Sequence, residues 1–288
     1  MIRIIDTFSQ IDMLFGPDGF DPEKWEAYIG SVSENAARMF RDDLQDCLDS
    51  GDLTYESDIL PILNAVERHP ALETLHASFL KVTDHLQEKV IACFGCTLEI
   101  DIVLYVGLCN AAGWVTALGG RDVILLGIEK ILELGWWDED AMYGLIYHEL
   151  GHVYHKQCGK WEQENQDRAH AFVWQLFTEG IAMVFEQTLV QDFSYYHQDK
   201  DGWQAWCRAH FRQILSDFAA DCPTMTRATQ RYFGDWVSYH GRGDVGYYLG
   251  ARFVQHLMKE TRLDQLIMRD AARVYQDFLS FAERESAL

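Results

Sequence analysis

Tyr147-His148-Glu149-Leu150-Gly151-His152-Val153-Tyr154-His155 is the stretch that decides how this chain folds. Its centre, His148 to His152, is a His-Glu-x-x-His pattern. Residues four apart on an α-helix lie about 40° apart around the axis and about 6 Å along it. His148 and His152 therefore present two imidazoles to one point, which suits a tetrahedral Zn²⁺. Glu149 falls about 100° round the helix, beside a metal rather than on it. A carboxylate there is placed to take a proton from an attacking water.

The flanks predict that this stretch is a buried helix. Asp138 is a good N-cap, and Glu139 and Asp140 carry the charge that suits a helix N-terminus. Met142, Ile146, Leu150 and Val153 form an apolar stripe, with Ala141 and Leu145 on the side of the two histidines. Lys156 sits in the last turn, where the helix dipole favours a cation. A helix apolar round most of its circumference belongs inside a domain.

Working outward, the residues before the motif change texture. Leu98 to Leu108 is part alternating and rich in β-branched residues, which predicts a strand. Gly113 to Leu118 predicts a second, Gly119-Gly120 a hairpin turn, and Arg121 to Leu126 a third. A short helix, Ile128 to Leu134, leads into the motif. The edge of such a sheet can accept an extended peptide as an added strand.

The first 96 residues read as a helical N-terminal subdomain, after a short strand at Arg3 to Phe8 and irregular chain to residue 20. Asp21-Pro22 opens a helix reaching Ser50, with a break at Gly30-Ser31 and Gly51 as its stop. A short helix covers Ser57 to Arg68. Pro70 opens a long one through Leu72, Leu75, Phe79, Val82, Leu86, Val90 and Ile91. His69, His76 and His85 are expected at its surface or caps. After Lys156 everything reads helical: Asn165–Gln191, Trp203–Ala219, Tyr247–Glu260 and Leu263–Glu283. The expected fold class is α+β, mostly helical. A small antiparallel or mixed sheet, the motif helix and a helical C-terminal lobe fill residues 97–288. With only 5 prolines in 288 residues and no linker, the two parts are expected to pack together.

Composition narrows the function classes. A net charge of −21 opposes nucleic acid and anionic membrane surfaces, which need a basic patch. Apolar residues at 48% exclude a disordered chain. There is no signal-peptide layout and no run of 18 apolar residues, so a cytoplasmic protein is expected. Seven cysteines without a framework of spacings read as reduced thiols. Cys93 and Cys96 make a lone Cys-x-x-Cys, too little for a metal site, expected at a helix end.

A catalytic zinc needs a third protein ligand. Phe177-Thr178-Glu179-Gly180-Ile181-Ala182 puts Glu179 on the flank of the next helix's apolar stripe, where a carboxylate needs a partner. Glu186, two turns on, is its rival. A third histidine six residues after the pair, with a glycine three after it, is the other known arrangement. This chain has Cys158 and His155 at those positions and does not match it.

The His-Glu-x-x-His helix followed by a glutamate on the next helix resembles the gluzincins, the thermolysin-like and aminopeptidase-like zinc metallopeptidases. His-Glu-Leu-Gly-His, Thr178-Glu179-Gly180-x-Ala182 and Gly246-Tyr247-Tyr248-Leu249-Gly250 resemble more narrowly a small family described only as predicted zinc-dependent proteases. The likeness covers about Leu98 to Glu260. It implies one Zn²⁺ per chain on His148, His152 and Glu179, with Glu149 as general base and a peptide or protein as substrate. It also implies a Tyr or His donor for the oxyanion from a later element. Tyr247, three before Gly250, is the first candidate, and Tyr248 and His240 are alternatives. The chain departs from the pattern in three ways. Twenty-six residues separate His152 from Glu179, leaving room for an insertion at Gln157 to Gln166. Met183 stands where thermolysin-like members carry an Asp that orients a metal histidine, which leaves that role to Glu186 or Asp167. The amine-binding strand of aminopeptidases is absent around Gly113 to Asp122, so exo-cleavage has no support. The alternative function is a peptide-binding or regulatory module on the same fold, with weak or no hydrolysis. A structural helical protein with a chance motif is the third.

Overall fold

The computed structural model describes residues 1–32, 36–49, 53–161, 167–234 and 237–287. It is an α+β structure, mostly helical, with one small mixed sheet. The chain divides into two compact units, Met1–Glu149 and Leu150–Leu288. The division falls between Glu149 and Leu150, within the helical stretch that carries the motif.

The first unit opens on β1 (Ile2–Asp6), a 3₁₀ turn over Phe8–Leu14 and a small hairpin of β2 (Phe15–Gly16) and β3 (Gly19–Phe20). Helices α1 (Pro22–Val32), α2 (Ala36–Asp49), α3 (Leu60–Val66), α4 (Leu72–Thr83) and α5 (Leu86–Phe94) follow. Pro22 starts α1 as expected; the stop expected at Ser50-Gly51 lies outside the described residues. The single long helix expected from Pro70 is two. Asp84 is extended and His85 takes a left-handed φ of 50°, which breaks the helix between Thr83 and Leu86. The periodicity ran across the break because both helices bury apolar residues: Leu75, Phe79 and Val82 on one, Leu86 and Val90 on the other.

The sheet has the order β1-β4-β6-β5, with β4 (Ile100–Tyr105), β5 (Gly113–Leu118) and β6 (Arg121–Gly127). β1 pairs parallel with β4 from Ile2↔Ile100, and β4 parallel with β6 from Asp101↔Val123. β5 and β6 form the expected antiparallel hairpin, closing at Leu118↔Arg121. Every residue of β4 is buried, as suits a central parallel strand. Its one carboxylate, Asp101, is held by Arg3 from β1 and by Arg121 Nε from β6, the latter at 3.2 Å. The opening residues are thus part of the sheet and share a unit with it, whereas the reading of the sequence set them apart at residue 96. Pairing between strands almost a hundred residues apart leaves no local pattern.

Helix α6 (Ile128–Leu134) leaves the sheet and α7 (Glu139–Tyr143) begins the motif helix, with Asp138 Oδ1 accepting from Ala141 N at 2.8 Å. One π turn over Gly144–His148 continues into α8 (Glu149–Cys158). Met142, Ile146, Leu150 and Val153 are all buried, as the stripe required.

The second unit continues with α9 (Arg168–Val190), α10 (Trp203–Ala209), α11 (Phe211–Asp221), α12 (Val245–Leu257), α13 (Leu263–Leu266) and α14 (Ala271–Ala287). The expected start of α9 at Asn165 lies outside the described residues; Asp167 caps the helix, accepting from His170 N at 2.9 Å. No helix among the described residues is long and apolar enough to cross a membrane.

Candidate metal centre

The π turn ends at His148, so the four-residue step to His152 is regular helix. The two imidazoles therefore share a face. Their approach to α9 depends on the residue between them. A Cβ on Gly151 would stand 2.5 Å from Ala182 Cα, so no larger residue fits where α8 meets α9. Ala182 is three residues past Glu179, less than one turn along the same helix. The small pair Gly151 and Ala182 thus brings the His152 turn against the Glu179 turn.

Ligand atoms of His148, His152 and Glu179 all lie within 4.8 Å of one another. His152 Nε2 is 3.3 Å from Glu179 Oε2. Two nitrogen or oxygen ligands at about 2.0–2.1 Å from a tetrahedral zinc stand about 3.4 Å apart. The His152–Glu179 edge already has that length. The donor set of two imidazoles and one carboxylate fits Zn²⁺ with a fourth position left open. His148 is buried, and His152 and Glu179 are partly exposed, so the site is reachable from solvent. Trp161 lies edge-on to His152, ring centroids 6.1 Å apart.

The other expected residues are sorted by the tertiary structure. His155 is fully buried among Trp161, Trp174 and Phe177, and burial pushes its imidazole down to about 4. It is a neutral core histidine, outside the ligand group. Asp167 is at the exposed N-terminus of α9, paired with His170. Glu186 is fully buried, and His197 Nδ1 meets its two oxygens at 2.9 and 3.0 Å. His148, Glu186 and His197 form a second group with ligand atoms within 4.8 Å. Of the two residues open for the role of Met183's missing carboxylate, only Glu186 is near a motif histidine.

No protein-family model, curated protein or solved structure matches this chain.

Tyr247 opens the first turn of α12 and is half-buried, its ring 6.5 Å from that of His197 and 5.8 Å from Phe233. Tyr248 is buried against Tyr196, Trp203 and Phe211. His240 is exposed on a turn with a left-handed φ of 50°, against Tyr239. Tyr247 alone of the three is beside the cluster. The glycines of its motif explain why. A Cβ on Gly180 would stand 2.3 Å from the Gly250 carbonyl oxygen, and one on Gly246 would strike Phe233. The Thr-Glu-Gly and Gly-Tyr-Tyr-Leu-Gly segments are thus the two sides of one close helix crossing.

Sequence reasoning missed His197. It lies past the end of α9, in irregular chain with no period to read. Gln191 takes φ 64° to end α9, and buried Gln187 donates from Nε2 to the Tyr195 carbonyl at 2.8 Å. That bond folds the chain back and lays His197 along Glu186.

Proposed function

We propose that this protein is a zinc-dependent peptidase. The observation that carries the proposal is the convergence of His148, His152 and Glu179 within 4.8 Å, with Glu149 on the same helix beside them. A zinc ion held there would supply a Lewis acid and lower the pKa of a water. His148 and His152 would hold that chemistry from one helix, and Glu179 from the next. Glu149, next in chain to His148 and partly exposed, takes the proton from the attacking water and passes it to the leaving amine. Tyr247 donates its hydroxyl to the oxygen that gains charge at the attacked carbonyl. β5 offers an open edge to an extended peptide among the described residues, pairing only with β6.

Glu149→Gln is the decisive variant. The amide keeps the shape of the carboxylate but takes no proton at neutral pH. The full-length variant should retain one zinc by plasma emission and lose turnover of a peptide library read by mass spectrometry by ~10²–10⁴-fold. Activity within about tenfold of wild type would remove Glu149 from the mechanism.

A further inference from the structure

We infer a second divalent-cation position in this protein, built from His148, Glu186 and His197 and exclusive of the first. It rests on the zinc reading above only through the shared His148. Three observations carry it. The donor atoms of the three residues lie within 4.8 Å of one another, a nitrogen, an oxygen and a nitrogen, the same donor set as the first triad. Glu186 is fully buried, and a buried carboxylate requires a hydrogen-bonded or charged partner. The Nδ1 of His197 is one such partner, at 2.9 and 3.0 Å from the two carboxylate oxygens, on a side chain that is 23% exposed. A divalent cation there would neutralise the buried carboxylate. Entering from the His197 side, it takes the Nδ1 lone pair and one Glu186 oxygen, any proton on Nδ1 passing to solvent.

The shared histidine makes the two positions alternatives. A neutral imidazole has one lone pair to give, its other nitrogen carrying a proton. His148 therefore serves one cation at a time. With the ion on Glu186 and His197, His152 and Glu179 keep the 3.3 Å contact already observed. The site is then a two-position centre: one position beside Glu149 and one on the buried carboxylate.

The test uses the full-length chain and zinc alone, in competition with a chromophoric chelator. Wild type should bind one zinc. Glu179→Gln should still bind one, about tenfold or more weaker, and adding His197→Gln should weaken it by about tenfold or more again. Anomalous scattering from zinc-soaked Glu179→Gln crystals should show the ion against Glu186 and His197, a readout that stands even where the double variant does not fold. A zinc affinity of Glu179→Gln that ignores His197→Gln, with the anomalous peak still on His152, overturns the second position. Zinc-loaded wild type that cleaves no peptide, while the Glu179→Gln ion depends on His197, overturns the peptidase reading and leaves the second position standing. A wild type that binds no zinc overturns both.

Discussion

Two glutamates on one helix, seven residues apart, have different surroundings. Glu179 is partly exposed and 3.3 Å from His152; Glu186 is fully buried and held by His197. Glu179→Ala should lower zinc affinity severely, and Glu186→Ala should leave the first position loaded. Dialysis against a chelator followed by metal analysis checks the pair, and the reverse pattern would make Glu186 the third ligand of the wild-type centre. Tyr247 is a residue-scale matter too. Tyr247→Phe should keep zinc and fold and lower kcat by ~10²–10³-fold with little change in KM, as expected for a contact made in the transition state. A silent Tyr247→Phe beside a crippled His240→Ala or Tyr248→Phe would hand the role to that residue.

At the scale of elements, the centre depends on how closely three helices approach. Gly151 lets α8 touch Ala182 of α9, and Gly180 lets α9 touch Gly250 of α12. In both places the obstruction to a larger residue is backbone, which cannot swing aside as a flexible side chain does. Gly151→Ala should therefore move His152 away from Glu179 and cost about 1–3 kcal/mol of stability, the usual range for overpacking. Zinc affinity should fall along with the urea midpoint. Gly180→Ala should lower the midpoint by a similar amount while displacing α12 and Tyr247, so its mark is on kcat. An unchanged zinc affinity in Gly151→Ala would mean that α8 and α9 can separate without disturbing the ligands.

For the whole molecule, the buried carboxyl group of Glu129 gives a pH signature. It accepts from Gly107 N at 2.8 Å and Cys109 N at 3.0 Å, yet burial pushes its pKa up to about 7. Between about pH 4.5 and 7 the folded chain keeps a proton that the unfolded chain has lost. Stability from this group is therefore greatest below that window and falls as pH rises through it, by about 3 kcal/mol in all. Glu129→Gln does not titrate. Urea unfolding of the two chains at pH 4.5 and 7.5 should show their difference shifting in favour of the variant by about that amount. A difference that stays constant with pH would mean that Glu129 ionises normally inside the fold.

The sequence by itself determined what is local. The spacing of His148 and His152, the cap at Asp138, the stripe from Met142 to Val153 and the hairpin at Gly119-Gly120 are all set within a few residues of chain, where helix and turn geometry leave little choice. It also put Glu179 on the next helix, on the flank of that helix's apolar stripe, where a carboxylate has few stable environments. Only the tertiary structure decided the rest. The register of β1 on β4 joins residues 2 and 100, a pairing no short window contains. The break at His85 was hidden by an apolar period that two helices share. The surroundings of Tyr247 and Tyr248 also came from the tertiary structure: the first lies against Phe233 and His197, the second in the aromatic core. His197 was invisible because its place beside Glu186 comes from the reversal at Gln191, held by Gln187, and irregular chain has no period from which direction can be read.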